Sequence, residues 1–97
     1  MRPSTALQLH RDSIRGIVLR NGAANPRVFG SASRGEDTED SDLDLLVDPV
    51  KGKTTLLGLA SIQLEVQDLT GVRTDVLTPL SLHERFRDRV LREAVPL

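Results

Sequence analysis

The chain has 97 residues with 14 acidic and 13 basic side chains, a net charge of −1, no Cys, no Trp or Tyr and only two Phe. That length allows one domain, taken as residues 1–97, of modest stability. The missing Cys excludes a disulfide framework and a thiolate metal site, and a chain without a basic excess or aromatic platforms does not suit a general nucleic-acid binder.

Small secreted domains usually need disulfides or metals as staples, so a reducing cytoplasm is the simpler setting. No apolar run approaches the roughly 18 residues of a membrane span, so no membrane is expected. The N-terminal MRPSTALQLHRDS has no apolar region of the kind a signal peptide needs. Charge is unevenly placed. Seven of the 14 acids lie between Glu36 and Asp48, where there is no Lys or Arg, and four arginines lie between Arg85 and Arg92.

Residues 5–21 read as a helix, with Ala6, His10, Ile14, Ile17 and Val18 near helical spacing and Ser4 as a candidate N-cap. Asn21-Gly22 is a good stop, because Gly accepts the left-handed conformation that ends helices. Asn25-Pro26 favours extended chain or a turn, and Arg27-Val28-Phe29 is a short strand. Gly30 to Arg34 is a small, polar turn, and Gly35 to Ser41 is a solvated loop. Residues 43–47 are nearly all apolar, as in a strand covered on both faces, and Asp48-Pro49 ends it.

Thr54 or Thr55 caps a second helix to about Leu69, with Leu56, Leu59, Ala60, Gln63, Val66 and Leu69 on its inner face and Gly71 as the stop. Val72 to Leu77 is a third strand, broken by Pro79. Ser81-x-x-Glu84 has the capping-box pattern, and the helix it opens runs to about Ala94 with Leu82, Phe86, Val90 and Ala94 on one face. The expected architecture is α/β: a small mixed sheet of three strands, or slightly more, flanked by helices.

The stretch that carries chemistry is VFGSASRGEDTEDSDLDLLVD, Val28 to Asp48. Side chains alternate along a strand, so Asp42 and Asp44 project from one face. Two nearby carboxylates repel, and a hard divalent cation such as Mg²⁺, which takes carboxylate and phosphate oxygens, would neutralise them. Asp75 lies among apolar residues on a strand and needs a partner. If its strand adjoins that of Asp42 and Asp44, three carboxylates cluster. Gly30 allows close approach to the backbone, Ser31 offers a hydroxyl and an amide, and such turns bind phosphate. Arg34 would add a cation for the distal phosphates. Phosphate grip plus metal carboxylates suits phosphoryl or nucleotidyl transfer.

Gly30-Ser31, ten residues, then Asp42-x-Asp44 resembles the G-S-x₁₀-D-x-D signature of the DNA polymerase β-like nucleotidyltransferases. The fuller string GSxSRGxxxxxSDxDLLV, with VRTDVL and RVLREAVPL further on, is similar to the minimal nucleotidyltransferases (MNT) that pair with HEPN toxins in toxin–antitoxin operons. The resemblance covers most of the chain. It implies a nucleotidyltransferase fold in which Gly30 and Ser31 hold the triphosphate, Asp42 and Asp44 bind one or two Mg²⁺, and Asp75 is the third catalytic and metal-binding carboxylate. It also implies an antitoxin, forming a hetero-oligomer with a HEPN-type RNase toxin and transferring AMP from ATP to a hydroxyl of that toxin, a tyrosine in the family. Arg73 departs from the family pattern, where a smaller or apolar neighbour is expected, and alters the charge near Asp75. Two other readings remain: a catalytically silent module that neutralises its partner by occlusion, and a nucleotidyltransferase with a small-molecule or RNA acceptor.

Two patterns imitate other sites. Gly52-Lys53-Thr54 lacks the upstream Gly of a P-loop, since position 47 is Val, and reads as a turn and helix cap. Asp37-x-Glu39-x-Ser41 has Asp42 where a calcium loop needs Gly. His10 and His83 have no partner pattern, and the Arg85–Arg92 face is either solvated or a partner surface.

Overall fold

The computed structural model describes residues 1–97. Seven regular elements form: α1 (Pro3–Arg20), β1 (Ala23–Phe29), β2 (Leu43–Pro49), α2 (Leu56–Thr70), β3 (Thr74–Leu77), α3 (Glu84–Glu93) and β4 (Val95–Pro96). Short 3-10 turns occupy Gly30–Ala32 and Pro79–Ser81. The strand order is β3-β2-β1-β4; β2 runs parallel to β3 and antiparallel to β1, and β4 is antiparallel to β1.

The two faces of β2 differ in chemistry. Leu43, Leu45 and Val47 point to one side and are fully buried, in a core with Ile14 and Val18 of α1 and Ile62 and Val66 of α2. Each such side chain contributes about 1.5–3 kcal/mol by leaving water. Asp42, Asp44, Leu46 and Asp48 alternate with them and lie on the other side. There Leu46 joins a smaller cluster with Phe29, Leu82 and Val90, the last of these on α3. Helix α3 has only 10 residues, and on this face Asp42, Asp44 and Asp48 keep part of their surface in solvent. The start of β2 stays partly open.

Several boundaries differ from those read in the sequence. Helix α1 begins at Pro3, which occupies the first helical position; its missing N–H would have been unpaired there anyway. Ser4 is not the cap. Its backbone N–H instead donates to Asp37 Oδ2 at 2.8 Å. Asp37, expected in a solvated loop, is thus a buried cap that reaches α1 from 33 residues away. Burial pushes its carboxyl up, but hydrogen bonds from Ser4 and the Arg2 charge outweigh that and leave it below the ordinary range.

Strand β1 starts at Ala23 rather than Arg27, because Asn25-Pro26 forms a bulge: Ala24 pairs with Asp48 and Arg27 with Leu46. A bulge tolerates a proline that cannot donate to the ladder. The four-residue β3 is shorter than Val72–Leu77, and β4 adds an edge strand too short to show in sequence.

Thr55 caps α2 by accepting from the Gly58 N–H, and Gly71 ends it with φ of 72°. The inner face of α2 carries Ile62, Val66 and Thr70, a rotation from the expected one that leaves Leu56 86% exposed. Thr54 braces the turn after β2, donating to Gly22 O and accepting from the Val50 N–H. Gly52-Lys53-Thr54 therefore belongs to a turn and not to a phosphate loop.

Ser81 pairs with Thr78 across the second 3-10 turn, and His83 Nδ1 caps α3 by accepting from the Arg85 N–H. Phe86 is turned outward under the Arg89 guanidinium, 5.4 Å from its centroid, instead of entering the core. No helix is long and apolar enough to cross a membrane.

Replacing Asp37 with Ala leaves the start of α1 uncapped. Urea denaturation should show a loss of about 1–2 kcal/mol near neutral pH, as for other helix N-caps. Because the folded carboxyl lies below its ordinary value of 3.8, its stabilisation is present above that value and fades as pH falls through the folded pKa. The gap between wild type and variant should narrow in the same acid range.

Candidate active site

Backbone pairing sets three of the candidate groups side by side. In the parallel ladder Asp44 lies opposite Asp75, and in the antiparallel ladder Asp44 lies opposite Phe29, the residue before Gly30. Asp42 precedes β2, on the same side as Asp44 because buried Leu43 points the other way between them. The main-chain N–H of Leu43 donates to Arg73 O at 2.8 Å, which extends the β2–β3 pairing to the start of both strands.

Gly30 turns away from the sheet with φ of 74°, and a Cβ there would overlap Asp44 Oδ2. Two independent constraints, a left-handed backbone and contact with a carboxylate, thus require glycine. Ser31 follows in the 3-10 turn, and its carbonyl accepts the N–H groups of Arg34 and Glu36. Ser33 Oγ closes the turn on Gly30 O at 2.7 Å.

Asp44 is half-buried, and its carboxyl is pushed up to about 6. Burial is the largest cause; the charges of Asp75, Asp42 and Glu93 add to it, and Arg34 partly offsets them. Asp75 is exposed, and Asp42 is intermediate with Arg73 Nη1 at 4.0 Å from its Oδ1. Arg73 therefore lies beside Asp42, not primarily beside Asp75 as the sequence order suggests.

Arg34 lies outside the carboxylate group. Its Nε donates to Glu36 Oε1 at 2.6 Å and its Nη1 pairs with Glu93 Oε1. Hydrogen bonds to Glu36 and then Glu93 hold its pKa above the ordinary value. Glu93 was not singled out in the sequence. Its only signal is its place in the tail RVLREAVPL.

The donor set is oxygen only, which fits a hard cation such as Mg²⁺. A carboxyl raised by burial and like charge is what such an ion would relieve. No three acidic or imidazole groups converge closely enough to hold an ion unaided, so phosphate oxygens would have to complete the shell.

A family model described as a nucleotidyltransferase domain matches residues 11–97. The chain belongs to this nucleotidyltransferase family. A protein named as a candidate protein adenylyltransferase in Methanocaldococcus jannaschii is 42% identical over 79 residues, covering 81% of this chain and 84% of that one. The protein adenylyltransferase MntA of Thermococcus cleftensis is 37% identical over 89 residues, 92% of this chain and 86% of the relative.

Among solved structures, a candidate minimal nucleotidyltransferase superposes with a TM-score of 0.86 at 46% identity, over 100% of this chain and 97% of the other. A Shewanella oneidensis complex of a tri-AMPylated HEPN toxin with its MNT antitoxin gives a TM-score of 0.67 at 15% identity, over 92% of this chain and 69% of the other, and so shares the fold. The expected mixed α/β nucleotidyltransferase fold is thus present, with four strands in place of three. This nucleotidyltransferase is also an enzyme by its relatives.

The raised Asp44 carboxyl carries a stability cost. A carboxyl whose folded pKa exceeds its unfolded one stabilises the fold below the unfolded value, here 3.8, and that contribution is lost as pH rises through about 6. Asp44→Asn should therefore be more stable than wild type at about pH 7.5, by about 1–2 kcal/mol once solvent screening is allowed for. The difference should vanish by about pH 4. Thermal melts across pH, without added metal, would show it.

Proposed function

We propose that this nucleotidyltransferase is an MNT-type antitoxin, which transfers AMP from ATP with Mg²⁺ to a hydroxyl, a tyrosine by family resemblance, on a HEPN-type RNase toxin. The observation that carries the reading is Asp44 held between Gly30 and Asp75 with its carboxyl raised. A candidate phosphate turn and an acid pair then meet at Asp44, from the ladders on its two sides. The names of the relatives support the acceptor class: protein adenylyltransferases in two archaea and a toxin that carries AMP beside its antitoxin.

In this reading Gly30 and Ser31 receive the phosphates with backbone amides and a hydroxyl, and Arg34 neutralises their distal charge. Asp42, Asp44 and Asp75 would hold Mg²⁺, which supplies charge neutralisation at the phosphorus and at the leaving group. The acceptor oxygen forms a bond to the α-phosphorus as the bond to the β-phosphate oxygen breaks, and pyrophosphate leaves. The hydroxyl proton passes to a nearby base, a role this reading gives to Asp75, the exposed member of the trio. In this reading the acceptor belongs to another chain, in line with the AMPylated HEPN toxin found beside its MNT antitoxin.

Neutralisation by occlusion is the second reading. It draws on the apolar surface of α2, where Leu56 is 86%, Leu57 82% and Leu64 59% exposed. A partner that covered these groups would be bound without any chemistry.

Incubating the purified chain and its operon neighbour with Mg²⁺ and α-phosphate-labelled ATP should label the neighbour. Asp42→Asn should lower the rate by at least about 100-fold, and chelation of Mg²⁺ should stop transfer. Equal labelling by wild type and variant would sink the catalytic assignment. Full neutralisation by an Asp42→Ala, Asp44→Ala double variant would favour occlusion.

A further inference from the structure

We infer that Glu93 is a positioning residue of the nucleotide site and acts through Arg34. The inference rests on the proposed role of Arg34 at the triphosphate. Glu93 is the last residue of α3, and two residues later Val95 pairs with Val28, itself two residues before Gly30. Sheet register therefore delivers the Glu93 carboxylate to the turn from the far end of the chain. Its side chain is 18% exposed, whereas that of Arg34 is 49% exposed.

The guanidinium is held at two points. Glu36 takes Nε and Glu93 takes Nη1, while Nη2 carries neither contact. The two anchors are not equivalent. Glu36 is two residues from Arg34 and 62% exposed, so it ties the arginine only to its own loop. Glu93 ties it to α3 and, through β4, to β1.

An arginine loses much rotamer freedom when it is fixed on a ligand. One already fixed in the scaffold loses less, and the binding site is preorganised to that extent. Against this, Glu93 brings a negative charge near incoming phosphate. Arg34 pairs that charge only in part, because Glu36 shares the same guanidinium, so the sign of the change in affinity separates preorganisation from repulsion.

The test is a double-mutant cycle on the full chain, with α,β-methylene-ATP and Mg²⁺ as the titrant in calorimetry. Wild type binds; Glu93→Gln should raise Kd about 3–10-fold, and Arg34→Ala should raise it at least as much. The double variant should match Arg34→Ala alone, because a residue acting through another adds nothing once that other is gone. Glu36→Gln should change Kd less than Glu93→Gln. In the transfer assay Glu93→Gln should raise KM for ATP by the same factor as Kd and leave kcat within about twofold.

Melting by circular dichroism separates structure from positioning. An additive cycle, or a lowered Tm with unchanged Kd, overturns the inference while leaving the proposed function intact. Tighter binding by Glu93→Gln also overturns it, since Glu93 would then compete with phosphate. A wild type that binds no nucleotide overturns both. If Glu93→Gln does not fold, Glu93→Asp keeps the charge, shortens the reach and goes through the same cycle with the same criteria.

Discussion

Asp44 sits on the middle of three adjoining strands, with Phe29 across one ladder and Asp75 across the other. Backbone pairing fixes the spacing of the Asp44 and Asp75 main chains, so only side-chain rotation is left to ease the repulsion of the two carboxylates. It is relieved further by a proton, which the raised carboxyl takes up more readily, or by a cation. The core behind β2 bears the cost. Leu43, Leu45 and Val47 are fully buried on the opposite face and pin the strand that carries the acids. A site that needs clustered charge is thus attached to the best-packed strand of the protein, where local strain is outweighed.

Length and coverage explain why the site stays open. Helices α1 and α2 cover one face of the sheet. On the other face α3 contributes Val90 and the preceding turn contributes Leu82, and with Phe29 and Leu46 they make a cluster of only four buried residues. The same economy leaves Phe86 outside, and the apolar leucines of α2 as well. The surface is more apolar than the chain's charge content suggests.

Local chemistry was legible from the sequence where it depends on short spacing. Gly30, Ser31, Asp42 and Asp44 lie within 15 residues, and strand alternation alone places the two acids on one side. Gly71 as a helix stop and Thr55 as a cap follow from the same local rules. What escaped depends on partners far away in sequence. Asp37 looks like any loop acid until the start of α1 is folded against it, and Glu93 looks like any helix acid until β4 pairs with β1. The inner face of α2 was misjudged because LLGLASIQLEVQDL is apolar nearly all round. Several rotations fit the pattern, and contact with α1 and β3 decides between them. The pairing of Asp75 with Asp44 was conditional on strand adjacency, which no local signal fixes.

The long connection from Gly30 to Asp42 is where these distant contacts converge. It is rich in acids and exposed, yet it is tied at three places to the ends of the chain: Asp37 to Ser4, Glu39 to the N-terminal amine at 3.1 Å, and Arg34 to Glu93. These ties differ in weight. The Glu39 pair lies on the surface, where such pairs contribute about 0–1 kcal/mol. Asp37 is 5% exposed, and losing it would leave a buried helix terminus without its acceptor. The Glu93 contact lies between them in burial and is the one nearest the carboxylates, since its charge reaches Asp44. The loop is therefore rooted at two places, by the buried Asp37 and by the exposed Arg34 that Glu36 and Glu93 hold. A loop held at neither would leave the Gly30-Ser31 turn without a defined place over Asp44, where Gly30 stands so close to Asp44 Oδ2 that no side chain fits.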